Sequence, residues 1–432
     1  MDRERLKAEL EKCVRCGRCL GVCPVYRQTL WEGSVARGKL SWLRAELGGE
    51  ADLAGRMKDL LSHCLLCGAC AEGCASGVEG DELIRAGRAL ALGDRGLDGL
   101  RGLLARDLLA RGAVARGLWR GRALFLRNVP EESGLHFRFP LNKLGAGRWL
   151  PRPAGRSFLE GQAARSSSRA GGPRVALFVG CVSNYLRPAA AEAARRLLEA
   201  AGARVVVPMA QVCCGKPAAG AGDEKTALYL ARKNIQALDP AGFDFVAAPC
   251  ATCSEQLKAY AFAGGADLAA RVRDLSELLA GELGWQPEPG PAKDKRESLR
   301  VFYHDPCHLR RKQGVHREPR VLLAALPGVT LVGPDEPPVC CGYGGLFNLW
   351  HYALSRELFQ TRIESIRPHH PDLVVTSCSG CWLQFKDGLD RLQQPFAVGF
   401  LAELLAERGL SAAADGTGSV GKDLPERTDG RP

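Results

Sequence analysis

The chain has 432 residues, is 46% hydrophobic and 25% charged, and carries a formal net charge of +11; this is the balance of a globular protein of two or three domains, not of a disordered or fibrous chain. Eighteen cysteines suggest disulfides or metal, but the opening Met1-Asp-Arg-Glu-Arg-Leu-Lys7 has no apolar signal core, and no apolar run reaches the roughly eighteen residues of a membrane span. The expectation is a cytoplasmic protein whose cysteines stay reduced and serve metal binding or catalysis.

Along the chain, residues 1–84 hold two tight cysteine clusters separated by a spacer, 24–63, with a helical pattern. Residues 85–172 form a cysteine-free connector rich in Leu, Arg and Gly. Between Arg85 and Ser168, sixteen basic and six acidic residues give +10, nearly the whole net charge. Such an excess attracts an acidic partner or anionic lipid; no nucleic-acid partner is expected. Within it, 97–127 invites comparison with helices that lie on membrane surfaces, but arginines interrupt its apolar face, which favours packing on protein. Arg165-Ser-Ser-Ser-Arg-Ala-Gly-Gly-Pro173 reads as a flexible linker.

Residues 174–284 and 299–406 repeat one pattern, joined by a Pro/Gly/Lys-rich stretch at 286–296. In the first copy the strand Val175-Ala-Leu-Phe-Val179 leads to Cys181, and Arg204-Val-Val-Val207 leads to Cys213-Cys214-Gly215. The strand Phe243-Asp-Phe-Val-Ala247 then runs into Cys250-Ala-Thr-Cys253. In the second, Val301-Phe-Tyr-His304 leads to Cys307, Val329-Thr-Leu-Val332 precedes Cys340-Cys341-Gly342, and Asp372-Leu-Val-Val-Thr376 runs into Cys378-Ser-Gly-Cys381. Short apolar strands alternating with helical stretches predict a parallel α/β unit in each copy. The cysteines follow the strands, at the carboxyl edge where open α/β sheets hold ligands. The tail 411–432 lacks apolar periodicity and reads as disordered. The fold class expected is α+β multidomain: a helical domain followed by two repeated α/β cysteine-rich domains with parallel sheets.

The first motif is Cys13-x2-Cys16-x2-Cys19-x3-Cys23-Pro24, the second Cys64-x2-Cys67-x2-Cys70-x3-Cys74. At this spacing three cysteines wrap one cubane and the fourth reaches the other cluster. The expected sets are Cys13, Cys16, Cys19 and Cys74 for one [4Fe–4S] cluster, and Cys64, Cys67, Cys70 and Cys23 for the other. Zinc favours two pairs of ligands over runs of four. Ala75 follows Cys74 where the small two-hairpin ferredoxin has proline, and the spacer is helical; both suit a helical ferredoxin domain. In the repeats, Cys181, Cys213, Cys214, Cys250 and Cys253 form one set of five, and Cys307, Cys340, Cys341, Cys378 and Cys381 the other. Five thiols exceed what one cubane or one zinc uses, and adjacent cysteines suit a cluster with bridging thiolates.

A twin ferredoxin motif followed by two such "CCG" domains resembles the iron–sulfur subunit of glycolate and lactate oxidases. It is also similar to the small subunit of anaerobic glycerol-3-phosphate dehydrogenase and to the disulfide-reducing subunits of heterodisulfide reductase. His304-Asp-Pro-Cys-His-Leu309 and Cys340-Cys-Gly-Tyr-Gly-Gly345 look most like the hydroxy-acid oxidase branch. The resemblance implies two [4Fe–4S] clusters and one or two further non-cubane [4Fe–4S] clusters in the CCG domains.

It implies an oxidoreductase subunit acting on CH–OH donors, peripheral on the inner face of the cell membrane, that passes electrons toward quinone. The chain has no GxGxxG after a strand and no Walker-type loop, so an FAD-containing dehydrogenase partner is expected to do the hydride chemistry. The alternative is a heterodisulfide-reductase-like thiol–disulfide oxidoreductase. No catalytic residue is assigned. His304 and His308 flank Cys307 and can tune or protonate a cluster, or simply bond a loop; Gly215, Gly342, Gly344 and Gly345 let backbone approach sulfur.

Overall fold

The computed structural model describes residues 2–50, 54–93, 148–149, 151, 153–161, 171–238, 242–288, 298–335 and 339–410. Most of the basic connector, the 97–127 stretch and the 411–432 tail lie outside the described residues. No helix among the described residues is long and apolar enough to cross a membrane.

The N-terminal part is a helical bundle of Arg3–Glu11, Ala36–Gly48, Ala54–Ser62 and Gly80–Leu92. Leu6, Leu10, Leu40, Leu43, Leu47, Leu61, Leu83 and Ile84 are its buried core, recurring at the three- and four-residue spacing that puts side chains on one helix face. The Asp2 carboxylate accepts from the Arg5 N–H at 2.8 Å and caps the first helix. A side chain at Gly87 would come within 2.6 Å of Leu43, so this glycine lets two helices approach closely. The spacer is helical, as its pattern predicts. The helix Gly80–Leu92 runs past residue 84, because Ala86 continues the apolar face into the same core.

Each repeat is a four-stranded, all-parallel sheet. The first is ordered β2-β1-β3-β4, with β1 Arg174–Leu177, β2 Arg204–Val206, β3 Phe245–Ala248 and β4 Val272–Asp274. The second is ordered β6-β5-β7-β8, with β5 Leu299–Tyr303, β6 Val329–Val332, β7 Leu373–Thr376 and β8 Ala397–Phe400. Registers correspond: Val175 lies opposite Val205 and Phe245, and Val301 opposite Leu331 and Leu373. The edge strands β4 and β8 were not expected from sequence.

Alternation along β1 and the two residues after it sends Val175, Leu177 and Val179 to one core and Ala176 and Phe178 to another. The first of these cores is shared by both repeats and also holds Val301, Tyr303, Leu373 and Val375. Two reciprocal helix contacts close it. Pro188–Ala200 of the first repeat packs on Leu401–Gly409 of the second, and Leu275–Glu282 of the first packs on Arg317–Ala324 of the second. Equivalent elements meeting crosswise make this a two-fold-like interface. The Arg187 guanidinium grips the Glu403 carboxylate across it at 2.8 and 3.0 Å.

Candidate metal centre

All eighteen cysteines are free thiols. In the N-terminal domain the two motifs adopt the same backbone path. Arg15 (φ 55°) and Gly17 (φ 83°) in the first match Leu66 (φ 53°) and Gly68 (φ 76°) in the second. Left-handed conformations at non-glycine residues carry strain, and both motifs bear it at the same offset. The result is two equivalent thiol cradles.

Cys23, Cys64, Cys67 and Cys70 line one small cavity, so the last cysteine of the first motif stands with the first three of the second. Burial pushes the Cys23 thiol up to about 12 and raises Cys64 and Cys70. Backbone N–H groups of Tyr26 and Leu66 point at the sulfurs of Cys23 and Cys64, at 3.5 and 3.4 Å. Cys13, Cys16 and Cys19 are electrostatic neighbours at the surface. Cys74, like Cys13, Cys19, Cys64 and Cys70, packs against the bundle core, and the helix Ala69–Glu72 before it packs on Arg18–Val22.

Lys39 and Arg88, unremarked in the sequence, are buried beside the second motif. Burial lowers the Lys39 ammonium, whose neighbours include Cys64, Cys23 and Cys70. It donates to the Gly33 carbonyl at 3.2 Å. Arg88 donates to the carbonyls of Cys64, Leu61 and Gly220 at 2.6, 2.8 and 2.6 Å, tying the motif to the first repeat. Lys39 falls on the same helical stripe as Ala36, Leu40, Leu43 and Leu47, a cation at a core position that sequence alone could have flagged.

In the repeats, all ten cysteines line a single cavity of about 390 Å³. The thiols form a continuous chain of contacts. From one end it runs Cys181, Cys213, Cys214, Cys253, Cys250, and crosses between repeats from Cys250 to Cys378. It continues through Cys381, Cys341 and Cys340 to Cys307. Cys341 and Cys381 are 3.3 Å apart. Contacts with neighbouring thiols set the directions: Cys181 and then Cys214 raise Cys213, whereas Cys213 and then Cys253 lower Cys214. Cys340 also touches Cys67, which joins this chain to the second ferredoxin-type motif.

The loops are held the same way in both copies. Gly215 (φ 86°) and Gly342 (φ 85°) turn the backbone so that their N–H groups face the sulfurs of Cys213 and Cys340, both at 3.5 Å. Cys250 and Cys378 each precede a helix as its N-cap residue. Behind the first loop, Asn234 donates to the Cys213 carbonyl at 3.0 Å and Tyr260 donates to the Cys214 carbonyl at 2.8 Å. A side chain at Gly180 would sit 3.0 Å from the Cys253 sulfur, so only glycine admits the thiol there.

His304 is buried, with an imidazole nitrogen and the Cys341 and Cys381 sulfurs within 4.8 Å of one another. Burial and then Arg362 hold it well below the usual histidine range, hence neutral. His308 joins three parts of the chain: its Nδ1 lies 3.0 Å from Thr252 Oγ1 and its ring also bonds the Leu66 backbone. Arg148 and Trp149, from the end of the connector, also line the cavity. Arg148 donates to the Asn348 carbonyl at 2.9 Å and lies 4.0 Å over the Tyr352 ring.

Soft thiolates in sets of four and five, converging without disulfides, suit iron–sulfur clusters or thiophilic metals. The cavity between the repeats gives room for such groups, and the N–H groups and cations around the thiols offset thiolate charge.

Comparison with known proteins agrees with this chemistry. Residues 9–78 match a 4Fe-4S dicluster domain, and residues 175–258 and 301–386 each match the CCG cysteine-rich domain. The chain is 30% identical to one subunit of the fumarate reductase (CoM/CoB) of Methanothermobacter marburgensis, over 89% of this chain and 69% of that protein. It is 28% identical to the probable glycolate oxidase iron-sulfur subunit of Bacillus subtilis, over 94% and 95%. It is 27% identical to one subunit of the dihydromethanophenazine:CoB–CoM heterodisulfide reductase of Methanosarcina barkeri, again over 94% and 95%.

Proposed function

We propose, for a chain that belongs to the iron–sulfur electron-transfer subunits joining a 4Fe-4S dicluster domain to two CCG domains, that it serves a 2-hydroxy-acid dehydrogenase. The donor is glycolate or lactate, oxidised by an FAD-containing partner subunit, and the acceptor is quinone at the membrane surface. Likeness to a glycolate oxidase iron-sulfur subunit along nearly the whole chain supports this choice.

Cys13, Cys16, Cys19 and Cys74 are proposed to hold one [4Fe–4S] cluster, and Cys64, Cys67, Cys70 and Cys23 the other. The five thiols of each CCG domain are proposed to hold one further non-cubane cluster. When bound, such clusters take up and release one electron at a time.

One observation carries the reading: the thiol sets stand in series. Cys16 and Val14 are exposed at one end, Val14 at 70%, whereas Cys67 is buried against Cys340. The chain's residues therefore provide a surface site, a more buried intermediate site and an inner cavity between the repeats. The test is reconstitution. The purified chain alone should show no turnover of glycolate or lactate with an artificial acceptor, and addition of the flavoprotein should reduce its clusters; turnover by the isolated chain would overturn the assignment.

A second reading has its own support. The cavity between the CCG domains can admit a small substrate against ten thiols, and the likeness to a heterodisulfide reductase subunit is equally long. Reduction of a disulfide substrate by the isolated, chemically reduced chain would favour it.

A further inference from the structure

The two CCG sites share their cysteines and their glycine turns but not the residues behind them. The residue three before the leading cysteine is Phe178 in the first repeat and His304 in the second. Phe178 is packed in the apolar core that also contains Cys213, Cys214, Cys250 and Cys253. A second pair differs on the helix after the CCG turn. Leu230 and Leu358 occupy matching places against Gly215 and Gly342. Four residues further on stand Asn234 and Arg362.

Arg362 and His304 act on each other. Arg362 Nε donates to His304 Nδ1 at 3.1 Å. A guanidinium has only donors, so Nδ1 accepts and the ring proton sits on Nε2. A histidine that bound metal through Nε2 would need its proton on Nδ1, where the Arg362 N–H already points. The ring therefore carries its one N–H on Nε2, and a ring nitrogen lies within 4.8 Å of the Cys341 and Cys381 sulfurs.

Arg362 brings a buried positive charge to the same place. Cys341, Cys381 and Cys340 are among its electrostatic neighbours. It ion-pairs with no carboxylate among the described residues. Its neighbour Asp305 is gripped by Arg320 at 2.7 and 2.6 Å. In the first repeat the corresponding Asn234 is neutral, and its amide N–H groups go to the Cys213 carbonyl and the Tyr260 hydroxyl. Lys216, a cation beside that site, is bonded to the half-buried Glu255 at 2.7 Å.

Adding an electron to a buried thiolate-bound cluster adds negative charge, which a nearby cation and N–H donor stabilise. We infer that the Arg362–His304 pair holds the second CCG site at a higher reduction potential than the first. The second repeat is then where an electron rests, and the first is the harder site to reduce. This rests on the reading above that both CCG domains hold clusters.

The test is an EPR-monitored redox titration of the full, anaerobically prepared chain with its iron counted. Arg362→Asn and His304→Phe, which copy the first repeat, should each make one CCG cluster at least tenfold harder to reduce, a shift of 59 mV or more for one electron. His304→Gln, which keeps an N–H, should restore most of it. Phe178→His should make the other cluster easier to reduce. Unchanged potentials in iron-complete Arg362→Asn and His304→Phe would overturn the inference. If those variants lose iron, pulsed EPR of the wild type labelled with [15N]histidine decides: a weak coupling fits a donor, while no coupling or one of ligand strength overturns it. An iron count showing no cluster in the second repeat would overturn both this and the cluster assignment it rests on, whereas unchanged potentials in loaded protein sink only the inference.

Discussion

Cys250 of the first CCG domain and Cys378 of the second touch across the seam between the repeats. Each is backed by a group from the other copy: the Ser379 N–H faces the Cys250 sulfur at 3.4 Å, and Thr252 Oγ1 lies 3.2 Å from the Cys378 sulfur. They are the middle of a ten-thiol chain that reads the same from both ends. Loss of either should therefore be felt in both domains. The Cys250→Ser variant is expected to lower iron content by more than one cluster's share, measured on anaerobic protein; loss confined to the first repeat's signal would contradict this.

Two cubanes account for eight irons. The chain prepared anaerobically should bind clearly more, and changing both Cys341 and Cys381 to serine should lower that excess while leaving the eight irons of the cubanes in place. Finding about eight irons together with zinc would show that the CCG domains hold a different metal.

Because Cys23 shares a cavity with Cys64, Cys67 and Cys70, Cys23→Ser should damage the cluster of the second motif. Mössbauer or EPR spectra that show damage only at the cluster of Cys13, Cys16 and Cys19 would refute the crossed arrangement.

The exposed first motif carries Lys12 and Arg18 at the surface. If an acidic partner delivers electrons there, Lys12→Glu with Arg18→Glu should slow cluster reduction several-fold at low salt and flatten its salt dependence, with iron content unchanged. Stopped-flow rates equal to wild type would place electron entry elsewhere.

Asp274 is fully buried, and burial raises its carboxyl from 3.8 to about 7 despite hydrogen bonds from Ser276. Its Oδ2 has no hydrogen-bond partner among the described residues. The folded state binds this proton more tightly than the unfolded state, so stability is lost as pH rises from about 4 to 7, by an amount of the order of 4 kcal/mol. Asp274→Asn keeps the helix cap and should flatten that slope in denaturation midpoints; an unaltered slope would mean the carboxyl is ionised throughout.

Much of this was legible in the sequence, for a physical reason. Past their first residues, β1, β3, β5 and β7 are mostly buried on both faces, so residues 175–179, 245–248, 301–303 and 373–375 read as apolar runs leading to cysteines. β4 escaped notice because three residues, Val272-Arg-Asp274, carry no period. Asn234, Tyr260 and Arg362 could not be placed, because they reach the cysteine loops from distant helices. Arg148 and Trp149 were counted with a charged connector, although their burial in the cysteine cavity depends on long-range folding that local composition does not encode.

Arg187 and Glu403 form an ion pair in which Glu403 is nearly buried, at 5% exposure, on the reciprocal helix contact. Removing the carboxylate takes away two charge-assisted hydrogen bonds, so Glu403→Ala should cost about 2 kcal/mol in denaturant titrations of the full chain. A change within about 0.5 kcal/mol, as for a surface substitution, would show that the seam is held by its apolar core alone.

That crosswise contact also decides what kinds of site the protein can build. Two identical subunits related by a two-fold axis must present the same side chain at both equivalent positions, because one gene writes both. Here the halves meet as such subunits do, yet each is written separately along one chain. Phe178 can thus differ from His304, and Asn234 from Arg362, without disturbing the mutual fit. Joining the halves makes a polarity available that no homodimer of either half could encode.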